Sequence, residues 1–203
     1  MRRGFVCIVL AGMLAAGISV AEGAAVPSKM TEDLAHVLEV LGTDGSKLPE
    51  GFLLSPVKET QETLSVFESI YDHAVRQELP LITYFDPAVQ SETALLLPEA
   101  FNLDQLVMYE FTPITAFNYE EGFGDIIADF QFATPYADGQ AAVALVGIVE
   151  KTEGTDMPVI KWTALPAKVE NGLVKITFPK TMVSIIEERG ALLLILSELL
   201  ATP

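Results

Sequence analysis

The sequence predicts an α+β fold in which N-terminal helices precede an antiparallel β-sandwich, Ig-like or similar in layout. Three observations carry that expectation. Between Ser55 and Glu78 the apolar residues recur at three- and four-residue steps, the spacing of one helix face. After Asn102 the period changes to two, in Val107, Tyr109 and Phe111 and again in Ile126, Ala128, Phe130 and Phe132. Turn signals at Tyr136-Ala137-Asp138-Gly139 and Asn171-Gly172 then cut the second half into short segments, as a sandwich or a curled antiparallel sheet requires.

Taken in order, residues 1–21 read as a signal peptide: Arg2 and Arg3, an apolar stretch from Gly4, and the small residues Ser19 and Ala21 just before Glu22. The stretch is at the short edge of what spans a bilayer, which makes an uncleaved anchor the alternative. The small residues and the polar run from Glu22 to Lys29 favour cleavage after Ala21, which would leave no membrane span. Residues 22–47 read as a linker with a short helix, in which Thr31, Glu32 and Asp33 lead into Leu34, Val37, Leu38 and Leu41 and Gly42 ends the pattern.

Residues 48–101 form the helical part. Ser55 is placed as an N-cap with Pro56 at the first helical position, and Leu64, Phe67, Ile70, Tyr71, Ala74 and Val75 make the buried stripe. A second helix is expected from Asp86-Pro87 to Leu96, with Leu81 to Phe85 a short strand or helical turn between the two. The near-repeat of Leu48-Pro49-Glu50-Gly51-Phe52 as Leu97-Pro98-Glu99-Ala100-Phe101 reads as two helix-to-strand junctions.

Residues 102–203 form the β part, one globular unit with 48–101. Ala141 to Val149 is apolar on both alternating sets, the mark of a strand covered on both faces. Ile160, Trp162 and Ala164 continue the alternation, and Asn171-Gly172 between Val169 and Val174 predicts a tight hairpin. Pro179 opens a short helix with Met182, Ile185 and Ile186 on one side, Gly190 closes it, and Ala191 to Ser197 is the last strand.

Composition excludes several function classes. The formal charge of −16 becomes −18 once residues 1–21, with Arg2 and Arg3 and no acid, are removed, and such a field repels nucleic acid and anionic headgroups. Cys7 is the only cysteine and falls inside the signal segment, so the mature chain offers no disulfide, thiolate metal site or thiol nucleophile. Asn102, Asn118 and Asn171 lack the Ser or Thr of a glycosylation sequon. Together these features point to a secreted or envelope-associated bacterial protein.

No residue pattern marks a catalytic centre, and the chain is expected not to be an enzyme. His36 and His73 have no motif around them, and the serines lack a nucleophile elbow. A carboxylate-dependent hydrolase is the enzymatic alternative, because two acids can cleave a glycosidic bond. Glu120, Glu121 and Asp125, with Asp129 beyond them, sit where Gly122 and Gly124 bend the chain, and as hard oxygen donors they are the candidate calcium site. Aromatic residues crowd the region from Tyr109 to Tyr136. Most belong to the core by alternation, whereas Tyr119 and Phe123 fall in a loop and are the candidates for stacking on a ligand such as a carbohydrate.

The run from Trp162 through Leu165-Pro166-Ala167, Val169, Asn171-Gly172, Val174-Lys175-Ile176 and Phe178-Pro179 to Ala191-Leu192 and Leu196-Ser197-Glu198 resembles the closing portion of exported β-rich modules of Gram-positive, Clostridia-type bacteria. The resemblance implies an extracytoplasmic module of uncharacterised function and carries over no catalytic residue. The expected function is therefore binding or interaction, with a protein or carbohydrate partner at the cell envelope.

Overall fold

A computed structural model describes residues 35–99, 101–150 and 159–198. Residues 1–34, which hold the segment read as a signal peptide and the opening of the expected linker, lie outside the described residues, as do residues 100, 151–158 and 199–203. The order of elements is β1 (His36–Gly42), β2 (Leu53–Pro56), α1 (Gln61–Tyr71) running on into a π-helical turn (Asp72–Arg76), a 3₁₀ turn (Leu81–Tyr84), α2 (Pro87–Leu96), β3 (Leu106–Phe117), β4 (Ile126–Gln131), β5 (Ala142–Glu150), β6 (Val159–Glu170), β7 (Leu173–Phe178), α3 (Lys180–Arg189) and β8 (Ala191–Glu198).

The fold is β-rich α+β, and its eight strands form one antiparallel ladder in the order β1-β4-β7-β6-β5-β8-β3-β2. The expected Ig-like sandwich is not confirmed; the sheet curls, so that β1 and β2, at opposite ends of the order, come back against each other and the barrel is nearly closed. The bend is carried by the long strand β6, which pairs with β5 through Pro166 and with β7 from Ala167 onward. Pro166 is at the changeover, where a residue without an N–H costs no ladder bond.

Curling creates an inside and an outside. Ala142, Ala144, Val146 and Ile148 of β5 and Ala191, Leu193 and Ile195 of β8 point inward, where they meet Phe130, Ile176 and Phe178 in one buried cluster. Val143 and Leu145 of β5, Leu192, Leu194 and Leu196 of β8 and Trp162 of β6 point outward beneath the helices. On the helices they meet Val66, Phe67 and Ile70 of α1 and Val89 of α2, with Leu81 and Ile82 between them. The continuous apolar runs of β5 and β8 follow from this: both faces are covered.

Both open ends of the barrel are stopped. At one end α3 crosses from β7 to β8 and buries Val183 and Ile186 in the interior. At the other end the connection from β4 to β5 buries Phe132, Tyr136 and Gln140. Its backbone is held by Thr134 N donating to Glu110 Oε1 at 3.3 Å, while Gln140 Nε2 donates to Ser197 Oγ at 2.8 Å. Glu110 turns inward because a bulge between Met108 and Glu110 shifts the register of β3 against β8.

Three local expectations are corrected. The described end of the linker is strand β1 and not a helix: Leu38 is an extra residue at a bulge between Val37 and Glu39, which turns a period of two into apolar neighbours that imitate helical spacing. Ser55 and Pro56 belong to β2, and α1 begins after Thr60, whose hydroxyl accepts from Thr63 N while Thr63 Oγ1 accepts from Thr60 N, a reciprocal capping box. Leu48 to Phe52 accordingly joins strand to strand. The second helix does start at Asp86-Pro87, with Asp86 Oδ1 accepting from Ala88 N and Val89 N. The hairpin at Asn171 and Gly172 has φ values of 54° and 73°, which a type I′ turn needs.

The described fold also sets an alkaline limit. Tyr136 is buried, its hydroxyl has no hydrogen-bond partner among the described residues, and burial together with the Glu110 charge pushes its pKa well above the ordinary 10.0. The hydrogen bond and charge of Asp129, 2.9 Å from Lys175 Nζ, likewise raise the Lys175 pKa above 10.5. In both cases the folded chain keeps a proton that the unfolded chain releases, so the stabilisation is complete below the unfolded values and is lost as pH climbs through the raised ones. Urea midpoints are expected to fall above about pH 10 through these two groups. Tyr136→Phe, which removes the unpartnered hydroxyl, should flatten that limb and stabilise the neutral protein by about 1 kcal/mol.

Candidate functional site

The residues singled out in the sequence gather at the barrel end closed by α3, and the structure gives them mixed duties. Tyr119, just past β3, is half-buried, its hydroxyl donating to Gly124 O at 3.0 Å and its backbone N donating to Glu187 Oε1 of α3 at 3.0 Å. Phe123 is also half-buried and meets the Tyr119 ring edge-on at 5.7 Å, while Phe52 meets the same ring at 6.1 Å. Phe52 and Phe123 thus each pack edge-on against Tyr119 in a small aromatic cluster beside α3.

The acidic residues Glu120, Asp125 and Asp129 have separate settings. Asp125 Oδ1 accepts from Lys180 N at 2.9 Å, supplying α3 with the N-terminal acceptor that Pro179 lacks. Its carbonyl accepts from Thr43 N at 3.2 Å, which ties the loop to the end of β1. Glu120 is exposed, and Glu121 opens a 3₁₀ turn, Glu121–Phe123. Asp129 lies on β4 in the ion pair with Lys175. Among the described residues no group of three or more His, Cys, Asp or Glu is arranged to hold a metal ion. Neither histidine joins the site: His36 is on an edge strand, and His73 bonds Thr83 Oγ1 at 2.9 Å with its ring edge-on to Tyr84.

Beside this loop is a feature that sequence reading did not find, a cleft of about 1090 Å³ on the outer rim of the same barrel end. One wall is the chain leading into α1, from Val57 to Thr63, and the other is the last turn of α3, Glu187 to Gly190. Its floor crosses three neighbouring strands at Val149 of β5, Ala191 and Leu192 of β8, and Pro113 to Thr115 of β3.

Two prolines open it. The β2–β3 ladder ends at Pro56 opposite Ile114, and one more bond follows, Val57 N donating to Pro113 O at 2.9 Å. Pro113 has no N–H to return, so the chain leaves the sheet there and turns toward Thr60 and α1. Glu62, Glu150, Glu187 and Glu188 against Lys58 and Arg189 make the rim acidic, the more so because Arg189 Nε is already 3.3 Å from Glu188. The available sequence signal was Pro113 itself, a proline inside an alternating run.

No protein family, curated protein or solved structure matches this chain. Among the described residues no helix is long and apolar enough to cross a membrane.

Proposed function

We propose that this chain is an exported, non-catalytic binding module of the bacterial cell envelope, and that it takes its partner in the cleft between α1 and α3. The observation that carries the reading is the cleft, whose buried lining includes Val66, Pro113 and Leu192 and whose rim is charged. A concave surface with an apolar base and few oriented polar groups is the usual form of a binding site. An eight-stranded barrel can hold a small ligand inside, but here Phe130, Ile176, Phe178, Val183 and Ile186 fill the interior, which directs binding to the surface. The edge-on packing of Tyr119 and Phe123 suits a wall that braces α3 better than a flat platform for a sugar ring. Export rests on the signal-peptide reading of residues 1–21.

The test is a thermal-shift panel of polyamines, oligosaccharides and short peptides, run on the exported protein and on Thr115→Trp, which fills the cleft from its floor. At least one solute class is expected to raise the melting temperature of the parent protein and not of the variant. Shifts that persist in Thr115→Trp, or a panel without any shift, would sink the reading of the cleft. Sequencing of the exported protein should begin at Glu22, and a chain retained whole in the membrane fraction would count against export.

A further inference from the structure

We infer that the cleft is one end of a longer groove that receives an extended peptide segment of a partner protein, with apolar side chains alternating with basic ones; this rests on the cleft being the binding site. The helical layer stops short of the end of the sheet. Phe67 of α1 covers Phe111 of β3 with ring centres 5.6 Å apart and Pro113 is still buried, whereas of the outward-facing residues beyond it Thr115 is half-buried and Phe117 exposed. Ile114 and Ala116, between them, face the barrel interior.

On β2 the outward partners are Ser55, opposite Thr115, and Leu53, opposite Phe117. Leu53 is 52% exposed and Phe117 49% exposed although they face each other across the ladder. Side chains directly opposed on one sheet face form a joint surface, so the two make an apolar step continuous with the cleft floor. From Pro113 to Phe117 the stripe runs about 13 Å, the length of four extended residues. An enclosed small-molecule site would not need this open continuation.

An extended chain points successive side chains to opposite sides. Laid along the stripe, one set reaches Thr115, Phe117 and Leu53, and the other reaches toward the rim acids Glu62, Glu150 and Glu188. The charge of the whole chain, −16, disfavours an acidic segment at the same place. Exposed ion pairs are individually weak, so the apolar contacts would set the affinity, and the acids the approach and the choice of partner.

The experiment is fluorescence anisotropy of a labelled decapeptide of alternating lysine and leucine, with glutamate–leucine and all-lysine decapeptides as controls. The lysine–leucine peptide is expected to bind most tightly. Its dissociation constant should rise at least about tenfold in Leu53→Ser/Phe117→Ser and again in Glu150→Lys/Glu188→Lys, with thermal melts close to the parent because all four positions are exposed. Should the first pair melt early, the charge-reversal pair decides alone. Binding equal to that of the all-lysine peptide, or unchanged in the deciding variants, would overturn the proposal. If a solute shift is still abolished by Thr115→Trp in that event, only the peptide is lost and the cleft stands. If that also fails, the cleft reading falls with it.

Discussion

Phe130→Ala is expected to cost about 3–5 kcal/mol, the range for emptying a large aromatic position in a packed core. Phe130 is fully buried on β4, paired with Val37 of β1 on one side and Val174 of β7 on the other. Its ring is stacked nearly parallel to Phe132 at 5.7 Å and lies 6.3 Å from Phe178. Truncation removes contacts to an edge strand, to the central part of the barrel and to the plug formed by the β4–β5 connection. In a chain of this size the loss should lower the melting temperature by roughly 6–20 °C. A loss under about 1 kcal/mol would mean a loosely filled interior, contrary to the close-packed core described here. It would also reopen the barrel as a place for a ligand.

Gly147→Ala is the second large effect, and it arises from overfilling. Gly147 of β5 is the register partner of Trp162 on β6, and the indole lies across the glycine. A methyl group there would be 2.5 Å from Cζ3 and 2.7 Å from Cε3 and Cη2 of the ring. The ring has little room to retreat, because Phe85 packs against it edge-on at 5.5 Å and Trp162 is itself buried. The expected cost is about 1–3 kcal/mol, net of the small gain from replacing a glycine in the unfolded chain. The clash predicts a coupling: in a Trp162→Leu background, Gly147→Ala should cost at least about 1 kcal/mol less. Additive urea midpoints across the four proteins of that cycle would refute the contact as its cause.

Features built from adjacent residues were legible in the sequence. Asn171-Gly172 specified its hairpin because positive φ is a property of those two residues, and Asp86-Pro87 specified a helix start because cap and first turn are contiguous. Ala141 to Val149 was readable as a strand covered on both faces because each alternating set is apolar by itself, and β5 spans Ala142–Glu150. Errors entered where a local pattern had two physical causes. Ser55-Pro56 has the chemistry of a helix start, but its backbone completes the ladder with β3, and the reciprocal Thr60 and Thr63 bonds begin the helix later. At Leu38 a bulge imitates a change of period.

The candidate site was legible only in part. Its loop announces itself through Tyr119, Phe123 and the neighbouring acids, yet the use of Asp125 as the acceptor for the first N–H of α3 depends on a helix that begins at Lys180. The cleft draws on segments near residues 57–66, 113–115, 149–150 and 187–192, and no window of sequence contains it. Only the strand order brings those segments together.

That strand order also bears on timing. β1 can join the ladder only after β4 exists, with Val37 against Phe130, and β3 waits for the last strand, with Met108 against Leu196. Pairings so distant along the chain close slowly, because the entropy of large loops must be lost before any contact rewards it. A polypeptide emerging N-terminus first therefore cannot complete its barrel until almost all of it has been delivered. On the export proposed above, late closure would keep the chain threadable during passage and leave the finished sheet to form on the far side.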